Sequence, residues 1–245
     1  MYDKPKASLV ARLAVTLGVV SVLALAAAGP LHHMGLVGLT GAFGVLKWAV
    51  YGAIATLVLS VIGIIIAARR RYGMSMAVTA MIMALLAIGS IGALAWKASR
   101  VPPIHDITTD TEHPPQFVAV LPLRAAAMNP VEYGGPTIVA QQHAAFPDIT
   151  PLTLAIPPGR AFDRALAAAQ TMRWELVASD PAAGRIEATD TTFWFGFKDD
   201  VVIRVTPAPG GSRVDVRSLS RVGVGDIGAN AARIRTYLKA LNAAQ

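Results

Sequence analysis

The carboxyl-terminal part of the chain contains RVDVRSLSRVGVGDIGANAARIRTYL, residues 213–238. Alternating apolar and polar residues from Arg213 to Leu219 predict a strand, and apolar residues spaced three and four apart after Asp226 predict a helix. The glycines between them spell G-x-G-x-x-G, the spacing of a dinucleotide-binding turn. That turn also needs a following parallel strand and an acidic residue about twenty positions on. No acidic residue follows Asp226 before Gln245, so we expect a strand, a capped loop and a closing helix without a dinucleotide.

The residues upstream of this motif predict the rest of an α+β domain. An amphipathic pattern over residues 161–172 predicts a helix, and Arg204 and Thr206 alternate with apolar positions as in a half-solvated strand. Further strands are predicted, with turn residues between them, at 152–156, 174–178, 185–192 and 200–206. We therefore predict a two-layer domain over residues 152–245, an antiparallel sheet packed with helices on one face and solvated on the other.

The first hundred residues have the composition of a membrane domain. The chain is 54% hydrophobic with a mean hydropathy of +0.50, which is too apolar for one ordinary soluble domain. Three apolar runs of about twenty residues predict membrane-spanning helices at about 11–29, 48–68 and 74–96. Between the first two, the glycines of residues 31–46 suggest a short interfacial segment.

The basic residues are concentrated around the predicted membrane helices. Nine of the 22 lysines and arginines precede Val101, together with a single acidic residue. The remainder of the chain is close to neutral, so no nucleic-acid partner is expected. Lys4, Lys6 and the arginines of residues 69–71 favour a cytoplasmic amino terminus and a periplasmic carboxyl domain in a bacterial inner membrane. Lys47, Lys97 and Arg100 would lie on the other side, which leaves the inverted topology as the alternative.

Residues 101–151 are rich in proline and predict an extended linker or wrapping segment. Asp106 and Asp110 lie there beside histidines, and carboxylate and imidazole are metal-ligand types. Their spacing fits no fixed ligand geometry, and Asp and Thr also make local turns in polar loops. We therefore expect no metal and no other cofactor. If a metal were bound, Asp106 and Asp110 are the residues that could ligate it.

The loop after residue 220 carries a group of polar and basic residues beside a helix amino terminus. Backbone amides, the helix dipole and arginine forks together can bind an anion. The alternative is that the arginines pair with Glu187, Asp199, Asp200 and Asp215 and stabilise the fold. The candidate anion-site residues are Arg217, Ser218, Arg221, Asn230 and Arg233. The residues expected to be structural are Gly223, Gly225, Asp226, Gly228, Asp199, Asp200 and Arg204.

The sequence favours binding over catalysis. It has no cysteine and no histidine after His143, so a thiolate nucleophile is absent and a serine triad would need a histidine from the proline-rich segment. Asp199 and Asp200 leave a metal-assisted envelope hydrolase as an alternative. A second alternative is that the loop after residue 220, with its arginines, binds lipid headgroups. The leading expectation is a membrane-embedded protein whose periplasmic domain binds an envelope protein or an anionic ligand.

Several motifs together resemble the DUF1499 family. They are IHDITTD at 104–110, PPQF at 114–117, IEA at 186–188, DDVVIR at 199–204 and DVRSLSRVGVGDIGAN at 215–230. The resemblance covers the chain from about Pro102 onward. It implies a domain of unknown function, found in bacteria and plastid lineages and sometimes preceded by a membrane segment, and it brings no catalytic residues.

Overall fold

The computed structural model describes residues 8–70 and 72–243, which form two compact units. The first unit contains the residues up to Lys97 together with Phe193–Gly196, and the second contains Ala98–Thr192 with the residues from Phe197 onward. Lys4, Lys6 and Arg71, on which the predicted orientation partly depends, lie outside the described residues.

The first unit consists of three long apolar helices, as the sequence predicts. They are α1 (Leu9–His33), α2 (Leu39–Arg70) and α3 (Met74–Ala98), with mean hydropathies of 2.3, 2.5 and 2.2. Each is long and apolar enough to cross a membrane. Within this unit Trp194 also donates its indole N–H to the Ala26 carbonyl at 3.2 Å.

The helix α2 is longer than the predicted span, because it begins at Leu39 and includes Gly41 and Gly44. The expected interfacial segment is thus reduced to the turn that ends at Gly38, in which Gly35 has φ +71°. In an apolar environment a helix satisfies its own backbone polar groups, and this outweighs the weak helix propensity of glycine.

The buried positions of the three helices are almost all small and recur at intervals of three and four residues. This spacing is that of a left-handed helical bundle, and small side chains allow close backbone approach. A Cβ built on Gly63 would lie 3.2 Å from the Ala77 Cβ, which shows how near α2 and α3 come. The buried small residues are Ala11, Ala14, Gly18, Ser21, Ala28 and Gly29 in α1, Ala42, Ala49, Ala53, Thr56, Ser60, Gly63 and Ala67 in α2, and Ala77, Ala80, Ala84 and Ala87 in α3.

The second unit is an antiparallel sheet packed with helices, which confirms the predicted α+β class. The sheet order is β1-β6-β5-β4-β3, and β2 also pairs with β6. The strands are β1 (Asp106–Thr108), β2 (Leu152–Leu154), β3 (Glu175–Asp180), β4 (Arg185–Thr191), β5 (Lys198–Ala208) and β6 (Gly211–Ser220). The helices are α4 (Gly135–Ala145), α5 (Pro158–Thr171) and α6 (Ala229–Ala243).

One face of the sheet forms the main hydrophobic core with α5 and α6. Ile203 and Val216 from the central strands and Phe162 and Ile234 from the helices are buried there. This is the face that the alternation in β5 and β6 predicts to be apolar. Tyr237 completes the helix contact, because its hydroxyl donates to the Ala165 carbonyl at 3.0 Å.

The opposite face of the sheet is covered, and the prediction that it is solvated is therefore wrong. Residues 109–134, which we call the strap, run over this face, and Phe117 and Val120 of the strap pack on Val202 and Leu219. Asp200, Asp215 and Arg217 on this face are buried as well, whereas Arg204 and Arg213 are paired but partly exposed. Alternating polarity in the strands therefore indicates ion pairs beneath the strap rather than a solvated face.

The proline-rich residues 101–151, expected to form a linker or wrapping segment, contribute β1, the strap and α4 to the second unit. Proline is compatible with helix α4 because Pro136 lies in its first turn, where a missing backbone N–H carries no penalty. The strand β1 was not predicted, since three buried residues show no alternation.

Candidate functional site

The residues singled out by the sequence lie around β5, β6 and the start of α6, where charged groups are buried on both faces of the sheet. Burying a charge is unfavourable unless it is paired and hydrogen-bonded. Each buried charged side chain in this set has an oppositely charged partner. The buried ones are Asp106, Arg124, Glu187, Asp199, Asp200, Asp215, Arg217 and Arg233.

Arg217 on β6 is fully buried and forms a bidentate pair with Asp106 on β1. Its Nε and Nη2 donate to the two carboxylate oxygens at 3.0 and 2.7 Å, and Nη1 donates to the Pro115 carbonyl at 3.2 Å. The rings of Phe117 and Tyr133 lie 5.0 and 5.6 Å from the guanidinium carbon. Burial raises the pKa of Asp106, against the opposing effect of Arg217. Arg217 thus joins β6, β1 and the strap.

Asp200 on β5 binds two arginines. Arg124 of the strap donates to Oδ2 at 2.6 Å, and Arg221 donates to both oxygens at 2.9 and 2.7 Å. Thr189 adds a hydrogen bond at 2.8 Å. Burial alone would raise the pKa of Asp200, but the bonds from Arg221, Thr189 and Arg124 outweigh it and lower the pKa. The strap is therefore tied to β5 through one carboxylate.

Arg233 in α6 is paired on the opposite face of the sheet. Its guanidinium donates to Asp199 on β5 and to Asp190 on β4, the latter at 2.8 Å. It also donates to the Ser218 hydroxyl at 3.0 Å, and that hydroxyl donates to the Asn230 side chain at 2.6 Å. This network connects the first turns of α6 to three adjacent strands.

Arg204, expected to be structural, belongs to a partly exposed cluster near the start of the strap. It donates to Asp110 and Asp215, each at 2.9 Å, and Arg213 makes the same two contacts at 2.9 and 3.0 Å. Burial works to raise the pKa of Asp110, and the His113 backbone N–H and the two arginines lower it overall. Asp110 therefore holds the beginning of the strap by charge pairing.

Glu187 on β4 is held by backbone amides of the strap. Its two oxygens accept N–H bonds of 3.0–3.1 Å from Val118, Ala119 and Val120. Arg185 adds a pair at 3.0 Å. Successive backbone N–H groups that converge on a carboxylate form a nest, a common device for holding an anion. Here the anion is the chain's own side chain.

The glycine loop connects β6 to α6. Gly223 and Gly228 have φ +96° and +79°, a region that side chains strongly disfavour. A Cβ on Gly225 would come within 2.9 Å of the Pro103 Cα. Asp226 accepts the N–H groups of Gly228 and of Asn230 in the first turn of α6, at 2.8 and 2.6 Å. Burial raises the pKa of Asp226.

The five candidate anion-site residues do not form one cluster. Ser218, Asn230 and Arg233 meet beneath α6, whereas Arg217 and Arg221 lie on the strap side of the sheet. Each of the three arginines donates to a carboxylate of the domain.

Asp199 and Asp200 project to opposite faces, because successive residues of a strand do so. Asp199 contacts Arg233, while Asp200 contacts Arg124 and Arg221. Asp106 and Asp110 bind different arginines. In the part of the chain that the structure describes, no three histidine, aspartate or glutamate side chains form a metal-binding group.

Sequence reasoning missed Arg124, which is buried in the strap and reaches Asp200 from 76 positions away. It is the only charged residue in VAVLPLRAAAM, residues 118–128, and an isolated charge in an apolar run is the one signal that could have pointed to a buried pair.

A groove of about 850 Å³ lies on the second unit, beside β2 and α5. On this side of β6 the backbone groups of Val216 and Ser220 form hydrogen bonds, so by alternation Ser212 and Val214 bond Leu154 and Leu152. The N–H and C=O of Thr153 therefore point away from β6. Arg164 at the side of the groove donates to the Leu241 carbonyl at 2.8 Å. The groove is lined by residues 153–156 and by Arg160, Asp163, Arg164 and Ala167.

We expect Asp200 to lose its contribution to the stability of the second unit as the pH drops below about 4, because the pKa of Asp200 is lower in the folded than in the unfolded chain. Its stabilising effect is present above the unfolded pKa and is lost as the pH falls through the folded one. Asp200→Asn should be less stable at pH 7 and show a shallower acid dependence, part of which Asp110 retains. Thermal unfolding of the full chain between pH 3 and pH 7 measures this, and equal slopes would contradict it.

The fold and the paired charges define a class: three candidate membrane helices followed by an antiparallel α+β domain whose interior charges are mutually neutralised. The chain belongs to the DUF1499 family, described as a protein of unknown function, and the family model matches residues 106–241, more than half of the chain. No curated protein matches it. The match begins at β1, so the family domain includes the strap.

Proposed function

We propose that this protein is a membrane-anchored, non-catalytic binding module whose groove between β2 and α5 takes an extended segment of an envelope protein. The observation that carries the proposal is the groove itself, where among the described residues no strand pairs with β2 on the side of Thr153 that faces the groove, beside an exposed helix face. A strand edge of this kind can add a strand from a partner, whose backbone supplies the hydrogen bonds.

The charged groups inside the domain are already paired, which favours binding at the surface over anion binding or catalysis in the interior. Arg217, Arg221 and Arg233 donate to carboxylates, and an incoming anion would have to displace a buried, hydrogen-bonded partner from each. Catalysis by Asp199 and Asp200 would need convergence, and the two side chains lie on opposite faces.

The groove has mixed polarity, which suits a peptide. Arg160 and Asp163 are exposed on one turn of α5, and Ala167 continues the same side one turn later. Leu154 lies at the bottom with its side chain buried. Backbone pairing to Thr153 would set the direction of the peptide, and the opposite charges of Arg160 and Asp163 would select its side chains.

Filling the groove should abolish partner binding. In Ala167→Trp an exposed helix position gains a large ring inside the groove, so we expect at least about a tenfold loss of the partner, while the fold is retained. The matched control is Gln170→Trp, exposed on the same helix outside the groove. A photoreactive side chain at Ala155 followed by mass spectrometry measures capture in native membranes.

Two results would remove this proposal. One is a crosslinking pattern at Ala155 that does not differ from that of the same photoreactive side chain at Ala182, in the exposed turn between β3 and β4. The other is a crosslinked partner whose yield is equal in the Ala167→Trp and Gln170→Trp variants.

We place the protein in a bacterial inner membrane with the carboxyl domain in the periplasm. The arginines that end α2, Arg69 and Arg70, favour the cytoplasm, with the amino terminus on the same side. An alkaline phosphatase fused after Gln245 should be active, and a green fluorescent protein fused there should be dark. The reverse pair of signals would invert the orientation.

A further inference from the structure

Four large apolar side chains of the second unit are strongly exposed at one end of the sheet. Leu121, Leu123 and Met128 of the strap are 44%, 51% and 73% exposed, and Val224 of the glycine loop is 78% exposed. We call these four residues the apolar patch. Exposed apolar groups that cluster on a surface mark a place of interaction, whereas scattered ones do not.

Hydrogen bonds show that the patch is contiguous. Arg221 donates to the Leu123 carbonyl at 2.9 Å, and its own carbonyl accepts the N–H of Met128 at 2.9 Å. Asn129 donates its side-chain amide to the Gly223 carbonyl, also at 2.9 Å. The strap and the glycine loop are thus fixed side by side, so that Leu123, Met128 and Val224 lie on neighbouring segments.

The strap turns its only local charge inward and its apolar groups outward. Within residues 118–128 the single charged residue, Arg124, is buried against Asp200, while Leu121, Pro122 and Leu123 are exposed around it. A surface for aqueous solvent would have the opposite arrangement. This distribution fits an apolar medium that accepts no charge.

The covalent chain keeps the patch near the membrane anchor. The helix α3 ends at Ala98, and five residues later Pro103 packs against Gly225, the neighbour of Val224. Asp226 donates its N–H to the Ile104 carbonyl at 3.3 Å. Five residues span at most about 18 Å, so the glycine loop cannot move far from the end of a membrane helix.

From these observations we infer that the apolar patch rests in the interfacial layer of the bilayer in which the helices are embedded. Leu121, Leu123, Met128 and Val224 contact lipid there. This inference does not depend on the groove or its partner.

The absence of native cysteine makes the test direct. Single variants Leu123→Cys, Met128→Cys and Val224→Cys are labelled with an environment-sensitive fluorophore in the full chain, reconstituted in phosphatidylcholine–phosphatidylglycerol nanodiscs. The control is Ala182→Cys. Ala182 lies far from the patch. Gly184 of the same turn accepts a hydrogen bond from the Val205 N–H, and Val205 pairs with Val214 of β6. Val214 is six residues, or roughly 20 Å, along β6 from Ser220 at the end of the strand near the patch.

We expect spin-labelled lipid to quench the three patch labels at least about twofold more than the Ala182→Cys label. Aqueous iodide should quench the Ala182→Cys label more than the patch labels. Met128→Asp in the Val224→Cys background should restore iodide quenching. Patch labels that respond to iodide as the control does would overturn the inference. Labels shielded from both quenchers would also overturn it, because they would indicate coverage by protein, including a second copy of this chain.

Discussion

Replacing Arg217 by methionine is expected to lower the free energy of unfolding of the second unit by about 3–5 kcal/mol, because a buried carboxylate loses its partner. Arg217 is fully buried, and in residues 8–70 and 72–243 no other arginine donates a hydrogen bond to Asp106. The strap also loses the bond to the Pro115 carbonyl and the stacking on Phe117. Native-state hydrogen exchange of the β5 and β6 amides in the full chain measures the loss.

The double variant Asp106→Asn with Arg217→Met is the control for this effect. It removes both charges, so it should recover part of the stability that the single variant loses. Arg217→Lys should remain destabilised, since an ammonium group cannot reproduce the bidentate geometry. A loss below about 1 kcal/mol in the Arg217→Met variant would show that the pair is not buried and paired as described.

Glu187→Ala is expected to release the strap from the sheet. The carboxylate binds the N–H groups of Val118, Ala119 and Val120, and its removal leaves them without an acceptor. We expect the free energy of opening at these amides to fall by about 2–4 kcal/mol. Amides of α5 and α6, on the other face of the sheet, should change much less, and hydrogen exchange resolved by residue separates the two regions.

Two further variants sharpen this test. Glu187→Gln keeps one oxygen acceptor and the shape of the side chain, so its effect should be intermediate. Glu175→Ala removes an exposed carboxylate from β3 and should change opening by less than about 0.5 kcal/mol. If Glu187→Ala exchanged uniformly faster across both faces, the strap would not be a separate opening unit.

Much of the fold follows from sequence pattern because its elements are long and periodic. The three apolar helices and the strands β4, β5 and β6 carry strong signals in length and alternation. The strand β1 and helix α4 do not, because they are short and stand among prolines. The cover on the second sheet face is invisible to local pattern, since the strap has almost no regular secondary structure.

The sequence predicts that the arginines and carboxylates of the candidate site form ion pairs, but it does not predict which residues pair with each other. Buried arginines and carboxylates in a near-neutral domain are expected to pair. Which ones meet depends on tertiary placement: Arg217 bonds Asp106 from 111 positions away, and Arg124 reaches Asp200. Once residues 198–208 are recognised as a strand, the sequence also predicts that the neighbouring Asp199 and Asp200 lie on opposite faces of the sheet. The two carboxylates therefore bind different arginines.

Arg213, Arg217, Arg221 and Arg233 pair with the domain's own carboxylates, and we propose on that ground that recognition takes place on the surface. Calorimetric titration of the full chain in nanodiscs with inorganic phosphate tests this most directly. Because Arg217, Arg221 and Arg233 are already paired, we expect no saturable binding at millimolar phosphate. Saturable binding that is lost in Arg221→Gln or Arg233→Gln would contradict it.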